Sequence, residues 1–213
     1  MLKRIIAVLL VAAVLPAGAL ACTGIYVGSG MTADGNTVIA RLEEYDLYKR
    51  WPKTFDVIPE GSHKAGEEYL GCYGFRWTFT HDSYGYTAFS DNTFGNICAD
   101  CEGTHAHTPY QAAGTNSKGV TVTATETLEG NAAVTAVDPF NTETGIEEAE
   151  IPTVLLSEAS TAREAVMLLA SILSADGAHE GGSTIVADAD ECWYLIICIP
   201  VGHQTAPLLP VPH

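Results

Sequence analysis

The chain has 213 residues, 47% of them hydrophobic and 17% charged, with 10 Lys+Arg against 26 Asp+Glu for a formal net charge of −16. The apolar fraction is that of a globular domain and excludes a disordered chain. The acidity argues against general nucleic-acid binding, which needs clustered Lys and Arg, and the length suits one large domain or two small ones.

Residues 1–21 have the form of an export leader. Lys3 and Arg4 give a positive start, Ile5 to Leu15 is an apolar run broken by Pro16 and Gly18, and Ala19-Leu20-Ala21 is the small-x-small pattern that signal peptidase reads. The run is shorter than the about 20 residues that a spanning helix requires. Its removal predicts a mature chain with a net charge of about −18, exported to a secreted, periplasmic or cell-surface location.

Cleavage after Ala21 makes Cys22 the first residue. An N-terminal cysteine carries a thiol and an α-amine together. The unperturbed amine has a pKa near ~7.7–8.0 and is partly neutral at neutral pH. Such an amine can take the thiol proton and later pass it to a leaving amine, so nucleophile and base arrive on one residue. The same position also suits a lipid-acylated cysteine or a disulfide partner. The acylation pathway favours Leu three residues before the cysteine, and Ala19 stands there with Leu20 at the wrong offset.

Thr23 to Gly28 reads as a strand, Ala33-Asp34-Gly35-Asn36 as a turn, and Thr37 to Arg41 as the returning strand. This hairpin brings Arg41 back beside Cys22, where a guanidinium favours the thiolate. A plain surface ion pair is the alternative for Arg41. Glu43 and Glu44 could orient Arg41 or hold the amine of a substrate.

Trp51 to Pro59 and Tyr84 to Ser90 are candidate strands, with turns between them. Gly119 to Thr127 alternates with period two and reads as a half-buried strand. Gly130 to Glu150 is acidic and turn-rich and reads as an exposed loop. Pro152 opens a short helix, Thr161-Ala162-Arg163-Glu164 is a capping box, and Ala165, Leu168, Leu169, Ile172 and Leu173 form one apolar helical face closed by Asp176-Gly177. Ser183 to Ala187 and Cys192 to Ile199 read as a hairpin. Residues 200–213, with Pro207, Pro210 and Pro212, read as an irregular tail poorly suited to extending a sheet. Periodicity alone gives an α+β fold.

Cys98-Ala99-Asp100-Cys101 and His105-Ala106-His107 offer ligands for zinc, but the spacing fits a finger poorly, and a disulfide or a plain loop is the other reading. With Cys22 as nucleophile five cysteines remain, which predicts another free or intermolecular thiol. Cys72, Cys192 and Cys198 suit small buried apolar positions. His81 and His179 have no nucleophile at a diagnostic spacing and read as ordinary polar positions.

Three blocks together resemble a known family: Cys22-Thr23-Gly24-Ile25-Tyr26-Val27-Gly28 with Ala33-Asp34-Gly35 and Ala40-Arg41-x-Glu43; Tyr110-Gln111 with Gly114-x-Asn116-x-Lys118-Gly119-Val120 and Ala124-Thr125-Glu126-Thr127; and Gly182 to Asp188 with Trp193. The family is dipeptidase A, N-terminal-nucleophile cysteine peptidases related to penicillin V acylase and bile salt hydrolase. The resemblance implies a four-layer αββα sandwich over residues 22–199, incomplete at the C-terminus. It implies hydrolysis of short peptides, with Cys22 as nucleophile and Arg41 beside the thiol, and no metal or organic cofactor.

Glu44 stands where the wider family commonly has Asp, one methylene longer, and Leu42 replaces a polar residue. Thr125-Glu126 stands where the acylase relatives place an oxyanion-hole asparagine, so that role does not carry over. The family continues past this length, which suggests truncation. An inactive homologue and a lipid-anchored binding protein are the alternative functions.

Overall fold

The computed structural model describes residues 22–44, 53–71, 73–91, 110–198 and 209–211. The leader, Cys72 and the Cys98–His107 cluster lie outside these residues.

Strands β1 (Thr23–Val27) and β2 (Val38–Leu42) form an antiparallel hairpin, as the turn residues predict. Gly35 sits at φ +74° in the turn, a conformation that a side chain disfavours. The main sheet has seven strands. Six of them are β3 (Lys53–Ile58), at one edge, β6 (Tyr86–Asp91), β7 (Gln111–Asn116), β8 (Thr121–Leu128), β9 (Gly181–Ala187) and β10 (Cys192–Ile197), in the antiparallel order β10-β9-β8-β7-β6-β3. The expected strands around Trp51–Pro59, Tyr84–Ser90, Gly119–Thr127 and the Ser183–Ile199 hairpin all fall within it. A separate small hairpin, β4 (Glu68–Leu70) and β5 (Arg76–Thr78), occupies a stretch that reads in sequence as turns. Its strands are too short to show a period-two pattern.

One expectation fails at the chain's end. Leu209–Val211 forms strand β11, which pairs with β10 at the sheet edge, so the tail is not wholly irregular. Pro210 pairs opposite Trp193 there, and an edge strand tolerates the missing N–H because its outer side makes no ladder bonds.

A second expectation fails between Gly130 and Glu150. The segment opens with a short helix α1 (Ala132–Thr135) capped by Asn131, then turns inward. Ile146, Glu147, Glu148, Ala149 and Glu150 are buried. The acidic run is solvent-shielded because its carboxylates find donors inside the fold: Glu150 accepts from its own turn at Glu147 N–H (2.9 Å), and Glu148 from Glu126 N–H (2.8 Å).

Helix α2 (Glu150–Glu158) carries Pro152 in its first turn and is buried at every position from Glu150 to Ser157. Helix α3 (Ala162–Asp176) is capped by Thr161, whose hydroxyl accepts from Glu164 N–H at 3.1 Å. Glu164 returns its carboxylate to Ser160 N–H (2.9 Å), one residue earlier than a standard capping box. On its inner face Ala165, Leu169, Ile172 and Leu173 are buried, and Leu168 packs against them partly exposed.

These helices cover one face of the main sheet. The core between them includes Val120, Val122, Ala124, Val154, Leu155, Leu156, Leu169, Val186 and Leu195. Each large aliphatic side chain there contributes roughly 1.5–3 kcal/mol by leaving water. On the opposite face Ile185, Ala187 and Cys192 receive Tyr26 and Ile39 of the β1–β2 hairpin. Gly24 permits the approach, since a Cβ there would stand 3.1 Å from Ile185 Cδ1. The layers are therefore helix, sheet and small sheet, an α+β arrangement. A second helical layer is not among the described residues.

Two of the sequence blocks prove to be folding devices. Asn116 is buried at the end of β7. Its Nδ2 donates to Leu156 O (3.0 Å) and Ala159 O (2.8 Å), and its Oδ1 accepts from Lys118 N–H and Val120 N–H, both at 3.0 Å. One side chain thus shapes the turn and satisfies the end of α2, whose last carbonyls have no helical partner. Asp188, after β9, closes its own turn through Asp190 and Glu191 N–H and accepts Ala162 N–H (2.7 Å) at the start of α3.

Candidate active site

Antiparallel pairing sets Thr23 opposite Leu42 and Gly24 opposite Arg41. Cys22 therefore stands at the open end of the hairpin, partly exposed, with Arg41 returning beside it. Arg41 Nη2 donates to Cys22 Sγ at 3.4 Å. The sequence-predicted pair is thus brought together.

The Arg41 side chain is only 8% exposed. Its Nη1 donates to Glu43 Oε2 (3.2 Å), and the same Nη2 that meets Cys22 also donates to Glu148 Oε1. Glu43 in turn pairs with Lys53 (2.5 Å), which pairs with Asp91. Burial works against the Arg41 charge, but Glu148, Cys22 and Glu43 outweigh it and push the pKa up, so the guanidinium stays charged. Of the two sequence candidates, Glu43 is the one that pairs with Arg41. Glu44 sits exposed at the hairpin base, where its Oε2 accepts from Thr23 Oγ1 at 3.1 Å. Its partner Thr23 is the residue after the cysteine, and it does not pair with Arg41 in this arrangement.

The residues that sequence reasoning missed enclose Arg41 from the far side. Glu148 is 4% exposed at its side chain. Its Oε2 accepts from Glu126 N–H, Tyr110 hydrogen-bonds it, and its own N–H donates to Glu180 Oε1 at 3.1 Å. Carboxylate oxygens of Glu126, Glu148 and Glu180 lie within 4.8 Å of one another. That crowding has electrostatic consequences. Burial, then the Glu126 and Glu148 charges, push the Glu180 pKa up to about 8. Burial and then Glu148 hold the Tyr110 hydroxyl well above the usual phenol range, so it remains a donor.

Glu148 was hidden because an acidic run between turn residues reads as solvated. The interleaved Ile146 and Ala149, both buried, were the available signal. Thr125 and Glu126 occupy β8 beside this cluster. Thr125 Oγ1 bonds Ser183 Oγ at 2.7 Å and Glu126 gives its N–H to Glu148, so both groups are engaged within the protein.

Neither His81 nor His179 bonds Cys22 or Arg41 among the described residues. His81 contacts the carbonyls of Asp82 and Glu158, and His179 stacks on Tyr73 with ring centroids 4.6 Å apart. Cys192 is buried in the patch beneath the hairpin, and burial pushes its thiol up to about 11, which leaves it inert. Cys198 is exposed, contrary to the expectation of a buried apolar position, because it follows the end of β10.

The family model for peptidase family C69 matches residues 21–208. A probable dipeptidase of Salmonella dublin is 35% identical over 177 residues, which is 83% of this chain and 38% of that protein. A probable dipeptidase B of Streptococcus pyogenes serotype M1 is 34% identical over 185 residues, 86% of this chain and 34% of that protein. The chain therefore spans little more than a third of the length of these curated relatives. Among solved structures, a variant of conjugated bile acid hydrolase from Clostridium perfringens aligns with 88% of this chain and 50% of its own, at 14% identity and a TM-score of 0.49. With a family match over nearly its whole length, the chain belongs to peptidase family C69.

Proposed function

We propose that this chain is a cysteine dipeptidase whose nucleophile is the Cys22 thiol, exposed as the N-terminal residue when signal peptidase removes residues 1–21 on export. The observation that carries this reading is the 3.4 Å contact between Arg41 Nη2 and Cys22 Sγ at the open end of the hairpin. The dipeptidase names of its relatives support short peptides as substrates.

In this mechanism the neutral α-amine of Cys22 takes the thiol proton, directly or through water. The thiolate attacks the scissile carbonyl carbon to give a tetrahedral oxyanion. The amine's proton passes to the leaving nitrogen as the C–N bond breaks, and a thioester remains. Water, deprotonated by the same amine, attacks the thioester and releases the acid and the thiol. Arg41 supports the thiolate. In this reading Glu44, exposed and bonded to Thr23, takes the free ammonium of a substrate. The reading requires no metal, organic cofactor or nucleic acid.

The test is hydrolysis of dipeptides by the processed chain and by Cys22→Ala and Cys22→Ser variants. Turnover that both substitutions abolish supports the reading. Full activity in Cys22→Ala contradicts it.

A further inference from the structure

We infer that Glu148 is the positioning residue of this site: its buried carboxylate holds the Arg41 guanidinium on the Cys22 sulfur. The inference rests on the proposed role of Cys22 but is tested apart from it.

Arg41 has three nitrogens to place it. Among the described residues its buried Nε has no hydrogen-bond partner. Its pose therefore depends on Nη1, which meets Glu43, and on Nη2, which is shared by Glu148 and Cys22. These two carboxylates are not equivalent. Glu43 is 23% exposed and divided between Arg41 and Lys53. Glu148 is 4% exposed, and its other oxygen is fixed by Glu126 N–H at 2.8 Å. A carboxylate held by a backbone donor has few alternative rotamers, so it fixes the direction of the guanidinium as well as its charge.

The nitrogen that Glu148 grips is also the one that touches sulfur. With Glu148 neutral, Glu43 is the remaining acid paired with Arg41, and it lies on the solvent side. The guanidinium then rotates toward Glu43 and away from Cys22. The groups facing Arg41 are Cys22, Glu43, Glu148, Tyr110 and, more distantly, Asp91. Those facing Glu148 include Arg41, Tyr110, Glu126, Glu43 and Glu180. Of the acids among them, Glu148 alone both touches Arg41 and is buried.

The readout is the rate of Cys22 alkylation by iodoacetamide at neutral pH, with the labelled site identified by mass spectrometry. Glu148→Gln keeps the volume and an acceptor for Glu126 N–H while removing the charge. It should slow labelling about tenfold. Glu148→Asp keeps the charge but withdraws it by one methylene. It should slow labelling less, and it serves if the glutamine variant does not fold. Arg41→Ala should match the glutamine variant, and the double variant should add nothing further.

An unchanged labelling rate in a less stable Glu148→Gln protein would mean a packing role and overturn the proposal. Faster labelling would mean that Glu148 only screens Arg41, and would overturn it equally. Labelling requires no turnover, so a chain that fails to hydrolyse dipeptides yet shows the slowing separates this inference from the proposed activity.

Discussion

Arg41 and Glu148 pair across 107 residues of chain, joining the hairpin that starts the described structure to the segment that leads into α2. The hairpin also rests on a modest apolar patch in which Tyr26 and Ile39 meet Ile185, Ala187 and Cys192. The environment of Cys22 is thus a product of tertiary structure: the hairpin supplies sulfur and guanidinium, and the buried turn before α2 supplies the acid.

Arg41 should not be replaceable by lysine. A lysine ammonium is a single point charge and cannot span Cys22, Glu43 and Glu148 as the two Nη groups do. Arg41→Ala should lower kcat/KM for a dipeptide by about 100-fold, and Arg41→Lys should recover less than about tenfold of that loss. Steady-state hydrolysis at neutral pH measures both. Near-full activity in Arg41→Lys would show that charge alone suffices.

Stability should fall as pH rises through the neutral range, because of Glu180. Its folded-state pKa of about 8 lies above the ordinary value of 4.5. Between these values the folded chain keeps a proton that the unfolded chain has released, so each step up in pH favours unfolding. The contribution is fully present below the ordinary value and is lost as pH passes through the folded one. Glu180→Gln keeps an acceptor for Glu148 N–H and removes the titration. Its thermal midpoint should therefore exceed that of the parent at pH 8 and converge with it near pH 4.5. A parallel pH dependence in the two proteins would assign the effect elsewhere.

Asn116 should be among the costliest single positions outside the site. Asn116→Ala leaves two carbonyls of the α2 end and two backbone N–H groups of the β7–β8 turn without partners in a buried setting. The expected loss is about 2–4 kcal/mol, read as a fall in thermal midpoint of roughly 5–15 °C for a chain of this size. A change below about 0.5 kcal/mol would mean that water replaces the side chain.

Local chemistry was legible in the sequence wherever neighbours in the chain decide the structure. The Asp34-Gly35 turn, the Thr161 cap and the alternation of Val120, Val122 and Ala124 each set a conformation within a few residues. The turn also fixed the pairing that returns Arg41 to Cys22, so the core of the candidate site could be read from residues 22–41. Glu148 was not legible, because burial of an acidic run depends on distant donors: Arg41, Glu126 N–H and Tyr110. Nor was β11, because the edge position that makes Pro210 tolerable is a property of the sheet. Asn116 was recognised as part of a motif, but its role in closing α2 needed the helix to be in place.

The most direct measurement is the mass of Cys22 in the processed chain during turnover. The chain is mixed with a slowly hydrolysed dipeptide, quenched in acid and digested, and the N-terminal peptide is weighed. The account predicts a peptide that begins at Cys22 with a free α-amine and carries the mass of the dipeptide's first residue as a thioester. Hydrolysis that proceeds with no acyl group on Cys22, or from a chain whose first residue is blocked or is not Cys22, would contradict it.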